Sequence, residues 1–341
     1  MSTPRVRLAD VAERSDVTKS VVSRVLNDDA TLRVRPETRE RILAVAAELG
    51  YRPHAGARAL STSQTGALAL LVPDVSNSVY AAVVRGAYRR ARDLGYVLLL
   101  AEDADDDGVE VDYAELVLSG RVDGLMVASA HPGHPLVDRL LAEPERVAHV
   151  FVNREVAGSD RNIGLDMEGA SAGAVDHLVA YGHSMIGIVS GPPELSPAVA
   201  RLTGFRGGMV AAGLAPDRVV DGEFTEHGGY VAALALIQRH PDTTAIYAST
   251  FGQAVGVMRA CRELELRVPD DVSLIAYDDL PMADYLTPRL TTLAMPMALL
   301  GAAAVDALVE QVSTGTATGR RVGGGFKIIS RDSVASPRGS S

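Results

Sequence analysis

The chain has 341 residues, 47% of them hydrophobic and 22% charged, and its formal net charge is -10. This length predicts two or three domains, and the composition excludes a chain that is disordered over most of its length. Residues 1–7 lack the apolar core of a signal peptide, the longest strongly apolar stretch is Ala67 to Val72, and Cys261 is the single cysteine. We therefore expect a cytoplasmic protein without a membrane span, a disulfide or a thiolate metal site.

Charge is unevenly distributed along the chain. Residues 1–60 carry 11 Lys or Arg against 8 Asp or Glu, whereas the remainder carries 22 against 35. A mildly basic segment on an acidic body is typical of a nucleic-acid-binding module whose body avoids nonspecific contact with phosphate. On charge alone, a chance imbalance in a short segment remains the alternative.

The segment from Leu8 to Asn27 predicts two short helices with a tight joint. Apolar residues recur at spacings of three and four on both sides of the joint, and Thr18 is suited to cap the second helix. The other face of that helix carries no acid and consists of Lys19, Ser20, Ser23, Arg24 and Asn27. A face of cations and hydroxyls favours a groove lined by phosphate and base acceptors, whereas a solvated face usually mixes both signs of charge.

A third helix is predicted from Pro36 to Leu49, with Ile42, Leu43, Ala46 and Leu49 buried, and it completes a headpiece over residues 1–50. Residues 51–65 then predict a hinge, in which a marginal helix containing Gly56 is followed by a Ser/Thr-rich linker. Since so short a helix is unstable alone in water, we expect it to fold only when it is docked.

Four stretches of sequence together carry a family resemblance. They are LADVAERSDVTKSVVSRVLN, RPETRERILAVAAELGYRP, GALALLVPDVSNSVYAAVVRGA and VSLIAYDDLPMADYLTPRLTTL, and they resemble the LacI/GalR family of bacterial transcription regulators. The resemblance implies that Lys19, Ser20 and Arg24 read bases and that Leu8, Thr18, Ser23 and Asn27 contact phosphates. It also implies that Ala57 and Leu60 of the hinge enter the minor groove.

Three headpiece positions depart from the family pattern. Asp16 replaces the usual turn glycine, and we expect it to adopt a positive φ, which Asp tolerates better than most residues. Arg7 and Arg35 stand where Ser or Thr commonly caps the first and third helices, so each position loses a cap typically worth about 1 kcal/mol.

From Gly66 onward, short apolar runs alternate with amphipathic stretches, which predicts parallel βαβ units. The candidate strands are 67–72, 96–100, 124–128 and 149–152 in one series and 185–190, 245–248 and 272–276 in a second. Neither series contains a glycine-rich phosphate loop, so we predict two open α/β sheets that face each other across a cleft. The resemblance implies the same periplasmic-binding-protein-like body, with 66–161 and 292–319 in the first lobe and 162–291 and 320–341 in the second.

Polar and aromatic residues follow several of the predicted strands. They are Ser76, Asn77, Val79 and Tyr80 after the first strand, Asn153 after the fourth, and Arg201, Phe224 and Asp278 in the second series. Arg and Asp beside an aromatic ring suit a polyhydroxylated ring or a nucleoside. Spacing alone favours a structural ion pair and a core aromatic, whereas the resemblance implies effector-binding positions at Ser76, Tyr80, Asn153, Arg201, Phe224 and Asp278.

Other departures bear on the ligand and on metal binding. Asn153, Thr250-Phe251 and Met295 replace the family's common aspartate, Asn-Asp and glutamine, which implies a less hydroxylated or partly apolar effector. The acidic run from Asp103 resembles the start of a calcium loop but has Ala114 at the twelfth position. His131 and His134 have no obvious carboxylate or Cys partner nearby in sequence, so we predict neither a metal nor a cofactor.

The predicted function is that of a homodimeric repressor that binds pseudo-palindromic operator DNA under the control of a small effector such as a sugar, polyol or nucleoside. Two alternatives remain. A solute-binding protein shares the body but requires a signal peptide and should lack the headpiece. An enzyme requires a nucleophile, base or metal constellation in the cleft, and we find none in the sequence.

Overall fold

The computed structural model describes residues 6–26, 29, 31–51, 64–103, 112–316 and 318–338, and it divides into a small headpiece and a large body. Each is a compact unit with its own core. The predicted hinge lies almost wholly outside the described residues.

The headpiece contains three short helices. They are α1 (Leu8–Arg14), α2 (Lys19–Leu26) and α3 (Pro36–Glu48). Their core consists of Val11, Ala12, Val22, Val25, Ile42 and Ala46, all buried. The prediction was wrong for Leu43, which is 47% exposed because it lies beside Ile42 but off the face of α3 that packs on the other two helices.

The departures in the headpiece have local compensations. Asp16 has φ +48, as predicted for a residue in place of the turn glycine. The Arg7 side chain makes no cap, but its backbone N–H donates to Asp10 Oδ2 at 2.7 Å. Arg35 makes no side-chain cap either, and Pro36 follows it at the first position of α3, where a missing N–H costs nothing.

The body contains two six-stranded sheets with helices on their faces. The first sheet has the order β11-β5-β4-β3-β1-β2, and the second has the order β12-β10-β9-β8-β6-β7. All pairings are parallel except that of β10 with β12. The strands of the first sheet are β1 (Ala67–Val72), β2 (Val97–Glu102), β3 (Gly124–Val127), β4 (His149–Val152), β5 (Asn162–Gly164) and β11 (Arg320–Arg321). Those of the second sheet are β6 (Ile186–Ser190), β7 (Val219–Asp221), β8 (Ala245–Ala248), β9 (Ser273–Tyr277), β10 (Thr291–Ala294) and β12 (Lys327–Ile329).

Eight α-helices of the described chain pack on these sheets. They are α4 (Val79–Asp93), α5 (Tyr113–Leu118), α6 (Pro135–Ala142), α7 (Met167–Ala180), α8 (Ser196–Ala211), α9 (Glu226–Arg239), α10 (Phe251–Glu263) and α11 (Met297–Thr314). A 3-10 helix, Pro281–Tyr285, precedes β10. The body has three described apolar clusters. One packs against the first sheet, and the other two lie on the two faces of the second sheet.

Three short strands correct the predicted lobe boundaries. Asn162–Gly164 and Arg320–Arg321 pair in the first sheet, although the sequence placed both in the second lobe. Thr291–Ala294 pairs with β9 in the second sheet, so the chain returns to the first lobe after this strand and not at residue 292. Each strand is so short that its apolar pattern does not reveal which sheet it joins.

The helix α11 corrects the statement that Ala67 to Val72 is the longest apolar stretch. By length and composition alone α11 could cross a membrane, but it packs in the core of the first lobe. Leu300, Ala304 and Leu308 are buried there against residues of α4 and the first sheet. The structure therefore assigns this helix to the interior of a globular lobe.

Candidate functional site

The outer face of α2 presents most of the predicted DNA-contacting residues. Lys19 and Ser20 are exposed, Ser23 and Arg24 are half-buried, and Leu8 packs against the headpiece core. Thr18 Oγ1 accepts a long hydrogen bond of 3.4 Å from the N–H of Val21, which supports its predicted capping role. Asn27, Ala57 and Leu60 lie outside the described residues.

Arg24 is held in place by the loop that follows α2. Its Nε donates to Asp29 Oδ2 at 2.7 Å and its Nη2 donates to Thr31 Oγ1 at 2.8 Å. Asp29 Oδ1 accepts in turn from the N–H and the hydroxyl of Thr31. Hydrogen bonds from Thr31 and Arg24 lower the pKa of Asp29 to about 2, so the carboxylate is ionised at neutral pH.

Arg201, on α8, is fixed in the interior of the second lobe. It is 3% exposed, and its Cζ lies 3.8 Å from the centroid of the Tyr277 ring and 5.6 Å from that of Phe224. Its Nη1 donates to the backbone oxygen of Ser249 at 2.9 Å, whereas its buried Nε has no hydrogen-bond partner in the described chain. The guanidinium is therefore held on two aromatic faces with part of its donor capacity unused.

Asp278 follows β9 directly and lies beside this arginine. It is 4% exposed, and neither carboxylate oxygen has a partner among the described residues. Burial raises the pKa of Asp278 to about 6, although the positive charge of Arg201 opposes the shift. A buried carboxylate without hydrogen bonds is costly, and such a group is a candidate for ligand binding.

The first lobe supplies a matching residue at the equivalent strand. Asn153 follows β4, which has the same position in the first sheet that β9 has in the second. Asn153 and Asp278 share a left-handed backbone, with φ +58 and +74, and the Oδ1 of Asn153 is also buried without a partner. Asn and Asp tolerate this conformation better than other non-glycine residues.

Tyr80 is buried in the first lobe near the carboxyl end of β3. Its hydroxyl lies 3.5 Å from the backbone oxygen of Ala128, which also accepts a hydrogen bond of 3.0 Å from Arg154 Nε. Tyr80 and Arg154 thus meet at the residue that follows β3.

Phe224 and Ser76 differ in how the structure places them. The Phe224 ring packs over Gly191, where an added Cβ would lie 2.1 Å from the ring, so the glycine makes room for the aromatic beside Arg201. Ser76 is exposed, and both its N–H and its hydroxyl donate to Asp74 Oδ1 at 2.7 Å. The described contacts therefore tie Ser76 to its own turn and do not bring it to the other predicted residues.

Sequence reasoning missed three residues that build this region. Tyr277 lies under Arg201, and Arg154 is buried beside Asn153. Gln253 is buried and its Nε2 donates to the backbone oxygens of Ser190, Gly222 and Glu223, which ties together the ends of β6 and β7. The sequence offered one signal for these residues, which is that the aromatic Tyr277 directly precedes Asp278.

A second polar cluster lies near the ends of β2 and β3. Asp103 accepts from the Ser129 hydroxyl at 2.5 Å and lies 3.2 Å from His134 Nε2, so the fold brings to this histidine a carboxylate that is distant in sequence. Burial opposes it, but the hydrogen bonds from His134 and Ser129 keep the pKa of Asp103 below its ordinary value. Within the described ranges no group of three or more His, Cys, Asp or Glu side chains could hold a metal ion.

Comparison with known proteins identifies the family. Residues 7–54 match the model of bacterial regulatory proteins, lacI family, and residues 175–334 match a periplasmic binding protein-like domain. The chain is 32% identical over 323 residues to the ribose operon repressor of Escherichia coli (strain K12), with 92% of this chain and 96% of that repressor covered. The chain belongs to the lacI family of bacterial regulatory proteins.

Solved structures of lacI-family regulators agree with the architecture. The transcriptional regulator CelR in complex with cellobiose is 29% identical, with a TM-score of 0.72 over 96% of this chain and 100% of that one. The lac repressor dimer bound to operator and the anti-inducer ONPF is 26% identical, with a TM-score of 0.81 over 97% of this chain and 99% of that one. This lacI-family protein is accordingly a DNA-binding transcription regulator with a headpiece and a two-lobed effector-binding body.

Proposed function

We propose that this regulator is a homodimeric, cytoplasmic repressor that binds a pseudo-palindromic operator in double-stranded DNA and has no catalytic activity. Its affinity for the operator is set by a small molecule of the sugar, polyol or nucleoside class bound between the two lobes of the body. The names of the ribose operon repressor and of the CelR-cellobiose complex support a sugar-like ligand. The observation that carries the proposal is the set of buried, unpartnered polar atoms at Asn153, Arg201 and Asp278.

The outer face of α2 is suited to enter the major groove. Lys19, Ser20 and Arg24 would read base edges, while Thr18, Ser23 and the backbone near Leu8 would contact phosphates. Lys19 and Ser20 are exposed, so DNA can reach them without any rearrangement of the headpiece. Phosphate contact at Asn27 and minor-groove entry at Ala57 and Leu60 remain predictions.

The contacts of Arg24 suit it to recognise guanine. Asp29 and Thr31 occupy the Nε edge of the guanidinium, and no described residue accepts a hydrogen bond from Nη1. The end formed by Nη1 and the second N–H of Nη2 can donate two hydrogen bonds to O6 and N7 of guanine. Because the side chain is already ordered, less conformational entropy is lost when that contact forms.

The cleft is suited to a hydroxylated ligand. Ionised Asp278 and the Asn153 amide oxygen would accept hydrogen bonds from ligand hydroxyls, and Arg201 Nε would donate one. Phe224 and Tyr80 would cover the apolar face of the ring. Since Asn153 and Asp278 belong to different lobes, a ligand bound by both must favour one inter-lobe angle, and operator affinity would follow that angle.

Dimerisation is supported by an exposed apolar surface on the first lobe. The strand β2 ends its sheet, and its Val97, Leu99 and Leu100 are 60%, 46% and 47% exposed. Tyr88 on the adjacent helix α4 is 52% exposed. An unpaired, apolar edge strand of this kind is normally covered, and a second copy of the chain would cover it. The resulting homodimer would carry two headpieces, which suits a two-fold symmetric operator.

The proposal is tested by two linked measurements on the full chain. A thermal-shift screen of sugars, polyols and nucleosides identifies the ligand, because a molecule that binds only the folded state raises its stability. The ligand should then change operator affinity by about 5- to 150-fold, and operator should change ligand affinity by the same factor.

The DNA side is tested by selecting preferred sequences from a random pool. We expect two-fold symmetric sites, and Arg24→Ala should lower specific affinity by about 10- to 100-fold, as expected for a lost bidentate base contact. Selection of single half-sites at full affinity would contradict the dimeric reading. Unchanged sequence preference in Arg24→Ala would contradict the role of Arg24.

A further inference from the structure

A cavity of about 460 Å³ lies between the lobes and is lined by one of the proposed effector residues, Asn153, whereas Asp278 lines a neighbouring cavity. Its first-lobe wall includes Asn153, Arg154 and Gly164, and its second-lobe wall includes Ser196, Pro197 and Ala200 at the start of α8. The volume is within the range of about 300 to 1,000 Å³ that small-molecule sites occupy. The lobes touch at this point, since the N–H of Glu155 donates to Ser196 Oγ at 2.9 Å.

Arg154 brings a buried positive charge to this cavity without a counter-charge. It is 8% exposed, and its Nε is used by the Ala128 oxygen. Its Nη1 is buried with no hydrogen-bond partner, and no ion pair joins the guanidinium to a carboxylate of the described residues. Burying an ionised group in this way is expensive, because no opposite charge of the described chain offsets the hydration that the guanidinium has lost.

Other buried arginines of the body are neutralised by the protein itself. Arg161 pairs with Glu145 at 3.0 Å, and Arg331 pairs with Asp279 at 2.9 Å and with Asp284 at 2.6 Å. Arg201 has the charge of Asp278 close by. Arg154 differs from all three, and the difference coincides with its position on a cavity wall.

The opposite wall of the cavity also favours negative charge. The helix α8 has 16 residues, and Leu195 at its N-cap provides no side-chain cap. The dipole of a helix makes its N-terminus attractive to anions, and the N–H of Ser196 is available there, whereas Pro197 has no N–H and that of Ala198 donates to the Leu195 oxygen at 2.9 Å. The cavity is also lined by two exposed arginines, Arg320 and Arg321, and by the exposed carboxylates of Glu155, Asp160 and Glu168. Solvent screens these exposed charges, so Arg154 is the buried charge of the lining that lacks an opposite charge.

We infer that the effector of this protein carries an anionic oxygen group, either a phosphate or a carboxylate, and that Arg154, supported by the Ser196 N–H at the start of α8, binds it in this cavity. A sugar phosphate or a sugar acid has the required combination, with hydroxyls for Asn153 and an anion for Arg154. The inference rests on the proposed function only in placing the effector between the lobes.

The test compares ligands that share one carbon skeleton. Binding of ribose, ribose 5-phosphate, ribonate and inorganic phosphate to the full-length protein is measured by isothermal titration and thermal shift, without DNA. We expect ribose 5-phosphate or ribonate to bind at least about tenfold more tightly than ribose, since charge-assisted hydrogen bonds are the stronger class. Which of the two anions binds distinguishes phosphate from carboxylate.

Three variants show whether Arg154 is responsible. Arg154→Gln should lower the affinity for the anionic ligand to that for ribose. Arg154→Lys keeps the positive charge and should therefore retain part of the preference for the anion over ribose. The matched control Arg146→Gln removes an exposed arginine that pairs with Glu143 outside the cavity and should bind like wild type. Thermal unfolding of each ligand-free variant verifies that it is folded.

Three outcomes would overturn the inference: no anionic probe binds the wild type, ribose binds as tightly as both anions, or Arg154→Gln keeps the preference. The proposed function fails separately. An anion that binds through Arg154 without changing operator affinity would contradict effector control and leave the anion site intact. Neutral ribose that changes operator affinity would do the reverse.

Discussion

The outer face of α2 in the headpiece and the candidate effector site of the body place their polar groups in opposite environments. Lys19 and Ser20 are exposed on α2, and Arg24 has 43% of its side chain in solvent and bonds to its own loop. In the candidate effector site, Arg201 and Asp278 are 3% and 4% exposed and retain unpartnered atoms. One surface is satisfied before its partner arrives, and the other is not.

This contrast indicates how each region acquires its specificity. Exposed groups exchange water for phosphate and bases, so affinity depends on salt and on the match of a few hydrogen bonds. Buried groups without partners destabilise the ligand-free protein, and only a ligand of complementary shape and polarity removes that cost. Substitutions should therefore alter folding in the cleft and alter recognition in the headpiece.

The largest effect is expected for Arg201→Ala. The substitution leaves Asp278 buried without its positive neighbour and removes the guanidinium from the faces of Tyr277 and Phe224. The lost packing on two rings and the lost positive charge near Asp278 are together expected to lower the free energy of unfolding of the body by about 3 kcal/mol. Urea unfolding followed by circular dichroism measures it.

The matched headpiece change is Lys19→Ala, which removes an exposed cation. It should leave the free energy of unfolding within about 0.5 kcal/mol of the wild type. Equal, small effects of both substitutions would mean that the cleft arginine is solvated, and the contrast between the two regions would be lost.

An intermediate effect, dependent on pH, is expected for Asp278→Asn. The pKa of Asp278 is raised from 3.8 to about 6, so the unfolded chain loses this proton at lower pH than the folded one. The stability of the wild type therefore falls as pH rises from about 4 to above 6, and the variant lacks this loss. Between pH 4 and 7 the stability difference should shift in favour of the variant by up to about 3 kcal/mol.

Thermal unfolding at a series of pH values measures this shift. In the same range, binding of a hydroxylated ligand by the wild type should weaken as pH falls below about 6, since a protonated Asp278 accepts fewer hydrogen bonds. A stability difference that is constant with pH would show that Asp278 keeps an ordinary pKa and that its burial has no energetic consequence.

The smallest effect is expected for Asp29→Ala in the headpiece. Arg24 keeps its charge but loses the partner that orders it, so specific operator affinity should fall by about three- to tenfold through the entropy of reordering one long side chain. Nonspecific DNA binding should stay the same or increase, because a negative charge near the phosphates is removed. The ratio of specific to nonspecific affinity, measured by fluorescence anisotropy, reports the change.

A matched control is Glu48→Gln, which breaks the exposed pair of Glu48 with Arg14 in the same headpiece. That pair contacts no residue of the outer face of α2 in the described contacts, so the affinity ratio should not change. A fall in the ratio for both variants would point to a general loss of headpiece stability.

The sequence predicted local structure better than it predicted which elements associate. The strand at Ala245–Ala248 is confirmed residue for residue, because a short apolar run between turn residues has few other solutions. The strands at Asn162–Gly164 and Thr291–Ala294 were assigned to the wrong lobe, since membership of a sheet is decided by long-range pairing.

The candidate site was predictable to a similar extent. Arg201, Asp278 and Asn153 were found from the family resemblance, and the structure shows all three buried with unpartnered atoms. Arg154 follows Asn153 directly, yet nothing in the sequence showed that its charge would be buried without a counter-ion. Burial of a long polar side chain depends on the packing of other strands around it, which the local pattern does not encode.

The chain passes between the lobes three times: at Leu165–Asp166, at Met295–Pro296 and at Val322–Phe326. These passages adjoin, since Arg321 Nη1 lies 3.7 Å from Asp166 and an added Cβ on Gly324 would lie 3.7 Å from Pro296. We expect three connections gathered in one place to act as a hinge, which permits the lobes to rotate and opposes sliding. A bound ligand would then act on the rest of the protein through the angle between the lobes, and that angle can be the same for ligands of different chemistry. A body built in this way can be refitted to a new metabolite by exchanging cleft residues, with no change to the machinery that reads the angle.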